Sequence, residues 1–133
     1  MTITIDGGAG ITFPDAVQQT NGMTMTGGNP KYYAARAWVN FDGTGTVSIR
    51  AAVNVSSITD GGTGNYTVNF TTPMPDANYS VIATASGLDR SNNNTAIHIL
   101  DGGTYSVSAV TLLNELGDGT NEDSDINCVV VFR

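Results

Sequence analysis

Residues 115–125, Glu-Leu-Gly-Asp-Gly-Thr-Asn-Glu-Asp-Ser-Asp, hold the densest set of chemistry-bearing side chains in the chain. Calcium takes about six to eight oxygen ligands from carboxylates, amides and carbonyls. Asp118, Glu122, Asp123 and Asp125 on a glycine-containing loop can supply such oxygens. Their spacing lacks the alternation of acids followed by glycine that an EF-hand requires. A solvated acidic loop is therefore the plainer expectation, with calcium as the one cofactor to consider. His98, the single histidine, lies in Thr95-Ala96-Ile97-His98-Ile99-Leu100. A histidine-centred nucleophile needs a serine and an orienting carboxylate brought to it. Nothing in the sequence places them, and no Gly-x-Ser-x-Gly elbow occurs. His98 is expected to be a packed or surface residue; three copies meeting on a threefold axis would be needed to make it a metal ligand. Asp89, Asp101, Asp118 and Asp123 can be combined into carboxylate pairs for glycoside hydrolysis, but so can the acids of any acidic protein. No enzymatic activity is expected.

Recognition chemistry is better represented. Leu88-Asp89-Arg90-Ser91-Asn92-Asn93-Asn94 groups side chains that make paired hydrogen bonds to sugar hydroxyls. An aromatic face completes such a site, and Trp38 or Tyr105 can provide one, as can Tyr32 or Tyr33. The candidate receptor-binding set is thus Asp89, Arg90, Asn92, Asn93, Asn94, Trp38 and Tyr105, against the alternative of a plain hydrophilic turn. Sequons at Asn54, Asn65, Asn69, Asn78 and Asn93 are expected by chance in a chain so rich in Asn and Thr.

The elements that must position these groups read as short strands cut by glycine turns. Strand candidates are 34–41, 46–53, 64–72, 78–85, 94–100, 103–113 and 125–132, with no helical interval between them. Over 46–53 the alternation predicts Val47, Ile49, Ala51 and Val53 on one face. Over 34–41 it sets Ala37, Val39 and Phe41 on the core face and Arg36, Trp38 and Asn40 opposite. Trp38 therefore needs cover from Tyr32 or Tyr33, another chain or a ligand. The closing strand Ile126–Phe132 is apolar on both faces apart from Asn127, the pattern of a strand covered on both sides. Asp42-Gly43-Thr44-Gly45 and Asp60-Gly61-Gly62-Thr63-Gly64 supply the tight turns. The fold class is an all-β antiparallel sandwich, jelly-roll or lectin-like. Residues 1–30, with too few large apolar side chains for a core, are read as a neck or collar, and 31–133 as the head domain.

Composition agrees. The 133 residues include 16 glycines and only 13% charged residues, which disfavours helices. A net charge of −7 and five scattered cations argue against a nucleic-acid partner. The lone Cys128, in the apolar run Ile-Asn-Cys-Val-Val-Val-Phe, excludes an intrachain disulfide and is expected to be a buried thiol. No signal peptide opens the chain and no apolar run reaches the roughly 20 residues of a membrane span, so membrane insertion is not expected.

The segment Trp38-Val39-Asn40-Phe41 with its glycine turn, Asn54–Asp60, and Tyr66-Thr67-Val68-Asn69-Phe70 leading to Met74-Pro75 and Tyr79-Ser80-Val81 resembles a module at the carboxy-terminal ends of tailed-bacteriophage tail fibre and related virion appendage proteins. Gly10-Ile11-Thr12-Phe13-Pro14-Asp15 is similar to an element that precedes such fibre tips, with Ala16 where that element has glycine. The resemblance covers residues 10–85. The second half is more loosely similar to H-type lectin domains, small sandwiches that bind sugars as trimers. The resemblance implies a homotrimeric, extracellular virion component that attaches without catalysis to a host polysaccharide or lipopolysaccharide, beside other tail proteins. Two rivals remain open: a structural domain that caps or trimerises the fibre, and a lectin-like carbohydrate-binding module of cellular origin.

Overall fold

A computed structural model describes residues 4–6, 10–12, 18–19, 35–86 and 95–133. The chain divides into two units, Met1–Ala34 and Ala35–Arg133. In the first, β1 (Thr4–Asp6), β2 (Gly10–Thr12) and β3 (Gln18–Gln19) form a small antiparallel sheet in that order.

The second unit is an antiparallel two-sheet structure with no helix among the described residues. Its strands are β4 (Ala35–Asp42), β5 (Ser48–Val53), β6 (Val55–Asp60), β7 (Asn65–Phe70), β8 (Ser80–Ala85), β9 (Ala96–Ile99), β10 (Ala109–Glu115) and β11 (Asn127–Phe132). Sheet I has the order β5-β4-β11-β8 and sheet II the order β6-β7-β10-β9. The first and last strands of the unit, β4 and β11, pair at the centre of sheet I. Period-two alternation builds the core between the sheets. Ala37, Val39 and Phe41 from β4 and Val129 and Val131 from β11 meet Tyr66, Val68 and Phe70 from β7 and Val110 and Leu112 from β10. Phe41 and Tyr66 join the sheets edge to face, with ring centroids 5.1 Å apart. A buried amide pair does the same in polar form: Asn114 on β10 donates through Nδ2 to Asn127 Oδ1 on β11 at 2.7 Å.

The expected face of β4 is borne out, since Ala37, Val39 and Phe41 are buried while Trp38 points away from the core. Three strand expectations are corrected. Val47, just before β5, and Ala52 on it pack on the core, whereas Val53 is exposed and Ala51 shares its side. The cause is a bulge: Asn40 lies opposite Ala51 and Phe41 opposite Ile49, so Arg50 is an extra residue that reverses the alternation. Residues 55–60 form a separate strand, β6, in the other sheet. The corner that sends the chain across is Asn54, in the left-handed region at φ 55°. Its side chain accepts from Thr72 N–H at 2.7 Å and donates to the carbonyls of Arg36 and Thr72, both at 3.1 Å. Finally, β10 begins at Ala109 rather than 103, because 101–108 folds into turns around Gly102 (φ 74°) and a bridge between Tyr105 and Val110. Cys128, expected to be buried, is instead half-buried, because the alternation that turns Asn127 and Val129 inward leaves it on the outward side of β11, where Asn40 Nδ2 donates to its Sγ at 3.0 Å.

Candidate functional site

Two surfaces of the second unit carry the predicted aromatic residues. The first is the outer face of sheet I. Trp38 on β4 lies opposite Val53 on β5 and opposite Val130 on β11, and Val130 lies opposite Ile82 on β8. The register thus aligns Val53, Trp38, Val130 and Ile82 in one row across all four strands, ~14 Å at the usual strand spacing. Val53 is 50% exposed, Trp38 37% and Ile82 59%, and Ile126 beside the start of β11 is 45% exposed. Alternation produces this row. Val81 and Ala83 turn to the core and leave Ile82 outward, as Val129 and Val131 do for Val130.

The second surface is formed by the loops 71–79 and 101–108, tied together by Met74 N–H donating to Val107 C=O at 2.7 Å. Tyr79 is buried against Phe70, and Tyr105 stacks on Tyr79 with centroids 4.5 Å apart and planes 17° from parallel. The Tyr79 hydroxyl sits 3.0 Å from Ser106 C=O and 3.1 Å from Ala109 C=O, and Tyr105 donates to Tyr79 C=O. One face of the Tyr105 ring is thereby fixed against the protein while the residue stays 37% exposed. Burial pushes the Tyr79 phenol up to about 12, and burial also raises Tyr105. Both remain hydrogen-bond donors across the neutral range. In the same 71–79 loop, Asp76 takes a two-pronged contact from Arg133, with Nε 2.8 Å from Oδ1, and accepts Asn78 N–H at 2.8 Å. The Arg133 contact, then the Asn78 amide, holds the Asp76 carboxyl below its ordinary value.

Trp38 and Tyr105 belong to these different surfaces, with no ring contact between them. Asp89, Arg90, Asn92, Asn93 and Asn94 lie outside the described residues. The acids of the 115–125 run do not converge. Asp118 Oδ1 caps its own turn by accepting Thr120 N–H at 3.0 Å. Glu122 accepts from Thr95 at 3.3 Å, and Asp125 accepts from Ser86. Asp123 Oδ1 takes Gly64 N–H at 2.7 Å and the Tyr66 hydroxyl at 2.6 Å. Desolvation, then the bond to Asp123, raises the Tyr66 phenol strongly, so this pair is a structural pin. Gly64 must be glycine there, at φ 71° with Asn114 C=O where a Cβ would stand. Among the described residues no three His, Cys, Asp or Glu side chains are grouped to hold a metal ion. The calcium expectation at Asp118, Glu122, Asp123 and Asp125 therefore lacks a converging ligand set. His98 is a surface residue of β9, its Nε2 3.4 Å from Glu115 Oε2.

The sequence reading missed Val53, Ile82, Asp76 and Arg133. The first needed the Arg50 bulge, and the ion pair joins residues 57 apart. The alternation within Ser80–Ala85 did carry the signal for Ile82. Compared with known proteins, the chain matches no family model, no curated protein and no solved structure significantly.

Proposed function

We propose that this chain is the distal, adhesive part of a tailed-phage fibre, exposed on the virion and attaching without catalysis to a glycan of the host surface. The observation that carries the proposal is Tyr105, a ring pinned by one face to buried Tyr79 and partly open to solvent. An immobilised aromatic face packs on the C–H face of a sugar ring at little entropic cost. The half-buried Asp76–Arg133 pair and exposed Asn78 offer charged and amide groups in the same loop system. The resemblance of residues 10–85 to fibre-tip modules supports the same reading, and the all-β fold of two four-stranded antiparallel sheets is compatible with it. Modest affinity per site would be multiplied by several copies, in a homotrimer beside other tail proteins.

The test is binding of the purified chain to intact host cells with free polysaccharide as competitor. Competed binding that falls on Tyr105→Ala, with melting temperature nearly unchanged, supports adhesion through this surface. Absence of binding, or release of reducing sugar from the polysaccharide, overturns it. One observation favours a second reading, a capping or trimerising domain: the apolar row on sheet I is a surface suited to protein rather than to sugar.

A further inference from the structure

We infer that the outer face of sheet I is an interface between copies of this chain, centred on Trp38 and Val130. This deepens the self-association in the proposed function by assigning it a surface, and it stands without the glycan. The row Val53–Trp38–Val130–Ile82 has the anatomy of an interface core: one large aromatic at the middle, aliphatic side chains beside it, no charge within it. Polar groups rim it. Asn40 and Thr84 flank Cys128 in the neighbouring row, and Asp42 sits at the far end of β4.

Charge identifies the occupant as a second copy. The chain carries 12 acids and a net charge of −7, so most approaches of one copy to another are repulsive. On the four strands of sheet I the acids reduce to Asp42, which Arg50 Nη2 neutralises at 2.9 Å. The remaining charge on those strands is Arg36, a cation. The acids Asp60 and Glu115 end strands of sheet II, and Asp76, Asp101, Asp118, Glu122, Asp123 and Asp125 lie in loops. The outer side of sheet I is thus a surface on which two acidic copies meet with no unpaired carboxylate on its strands, apolar row against apolar row, and with Arg36 on the same side of β4 but outside the row. An acidic partner of another kind would meet Arg36 and Arg50, but the neutral apolar centre gives it no specific counterpart.

Light scattering on the full chain at high concentration tests this. The expected result is a mass of two or three chains for the wild type. Ile82→Asp, and separately Trp38→Ser with Val53→Asn, are expected to lower it roughly two- or threefold to one chain with the circular dichroism retained. Asn69→Asp, a charge of the same sign on the outer side of sheet II, is expected to leave the mass unchanged. A wild type of single-chain mass overturns the inference. So does a multimer that survives both sheet I variants, which would place association elsewhere, or uptake of the wild type onto phospholipid vesicles that Ile82→Asp abolishes. Cell binding is read separately. A monomer that still adheres overturns this interface and leaves adhesion standing; a multimer that fails to adhere does the reverse.

Discussion

On the outer side of sheet II, Ser57, Thr59, Thr67, Asn69 and Thr111 bond to one another, whereas the outer side of sheet I presents Val53, Trp38, Val130 and Ile82. On sheet II, Thr67 and Thr111 hydroxyls are 2.8 Å apart, and Asn69 Nδ2 reaches Ser57 Oγ at 3.1 Å and Thr59 Oγ1 at 2.9 Å. Even the large apolar residue that β10 turns outward, Leu113, is only 8% exposed. Both sheets have four antiparallel strands and share one core. The difference lies in what the outward positions ask of their surroundings. Sheet II satisfies itself with cross-strand hydrogen bonds and water; sheet I gains free energy when something apolar covers it.

The largest effect that sharpens this contrast comes from two consecutive residues of β11. Val129 is 1% exposed in the core, while Val130 faces outward. Val129→Asp buries a charge and is expected to cost more than about 4 kcal/mol, enough to unfold most of the protein. Val130→Asp is expected to cost about 1 kcal/mol or less in the isolated chain while abolishing self-association. Urea unfolding and light scattering on the pair check both halves. Equal destabilisation by the two variants would erase the distinction between the sides of sheet I.

Next in size is the corner that separates the sheets. Asn54→Ala removes three side-chain hydrogen bonds and leaves a Cβ in the left-handed region. The expected loss is ~1–3 kcal/mol by urea unfolding. Asn54→Gly restores the backbone share only, so it should fall between wild type and alanine.

This corner also marks where the sequence stopped being legible. Strand β4 could be read to within one residue because Ala37, Val39 and Phe41 alternate without interruption. Strand β11 could be read as covered on both faces because its apolar residues run continuously, and its inward half proved buried and its outward half partly so. The β5 face could not, since a bulge depends on pairing with β4 rather than on the residues 46–53 themselves. Strand β6 was hidden in the polar Val-Ser-Ser-Ile-Thr-Asp, whose strand state comes from pairing with β7. Of the candidate site, Tyr105 and Trp38 were visible as aromatics, but their division between two surfaces follows from long-range pairing. Asp123 reads as a loop ligand; its engagement by Tyr66 spans 57 residues.

The buried tyrosines carry a pH signature of their own. Tyr66 and Tyr79 are both raised by burial, so the fold favours their neutral forms. The contribution of Tyr79 is complete below pH about 10 and is lost as pH rises from there through about 12, and that of Tyr66, raised more strongly, persists to higher pH. Absorbance at phenolate wavelengths should show these two tyrosines ionising only with unfolding, and normal ionisation in the folded chain would contradict their hydrogen bonds. At the acid end the signs reverse. Asp42, held low by Thr44 and Arg50, Asp76 by Arg133, and Asp118 by Thr120 contribute above pH about 4 and cease to as pH falls further.

The smallest expected effect lies on the sheet II ladder. Thr67→Val breaks the bond to Thr111 and should cost ~0.5–1.5 kcal/mol without altering the mass of the assembly. A change in assembly there would move the interface to the wrong sheet.

Trp38 is the single tryptophan of the chain, so its fluorescence reports on the centre of the sheet I row alone. Emission and acrylamide quenching followed through dilution, with mass read in parallel, test the contrast most directly. Burial between copies predicts emission that shifts to longer wavelength and quenching that rises as the assembly dissociates. Emission that stays constant while the protein is a single chain at every concentration would contradict it.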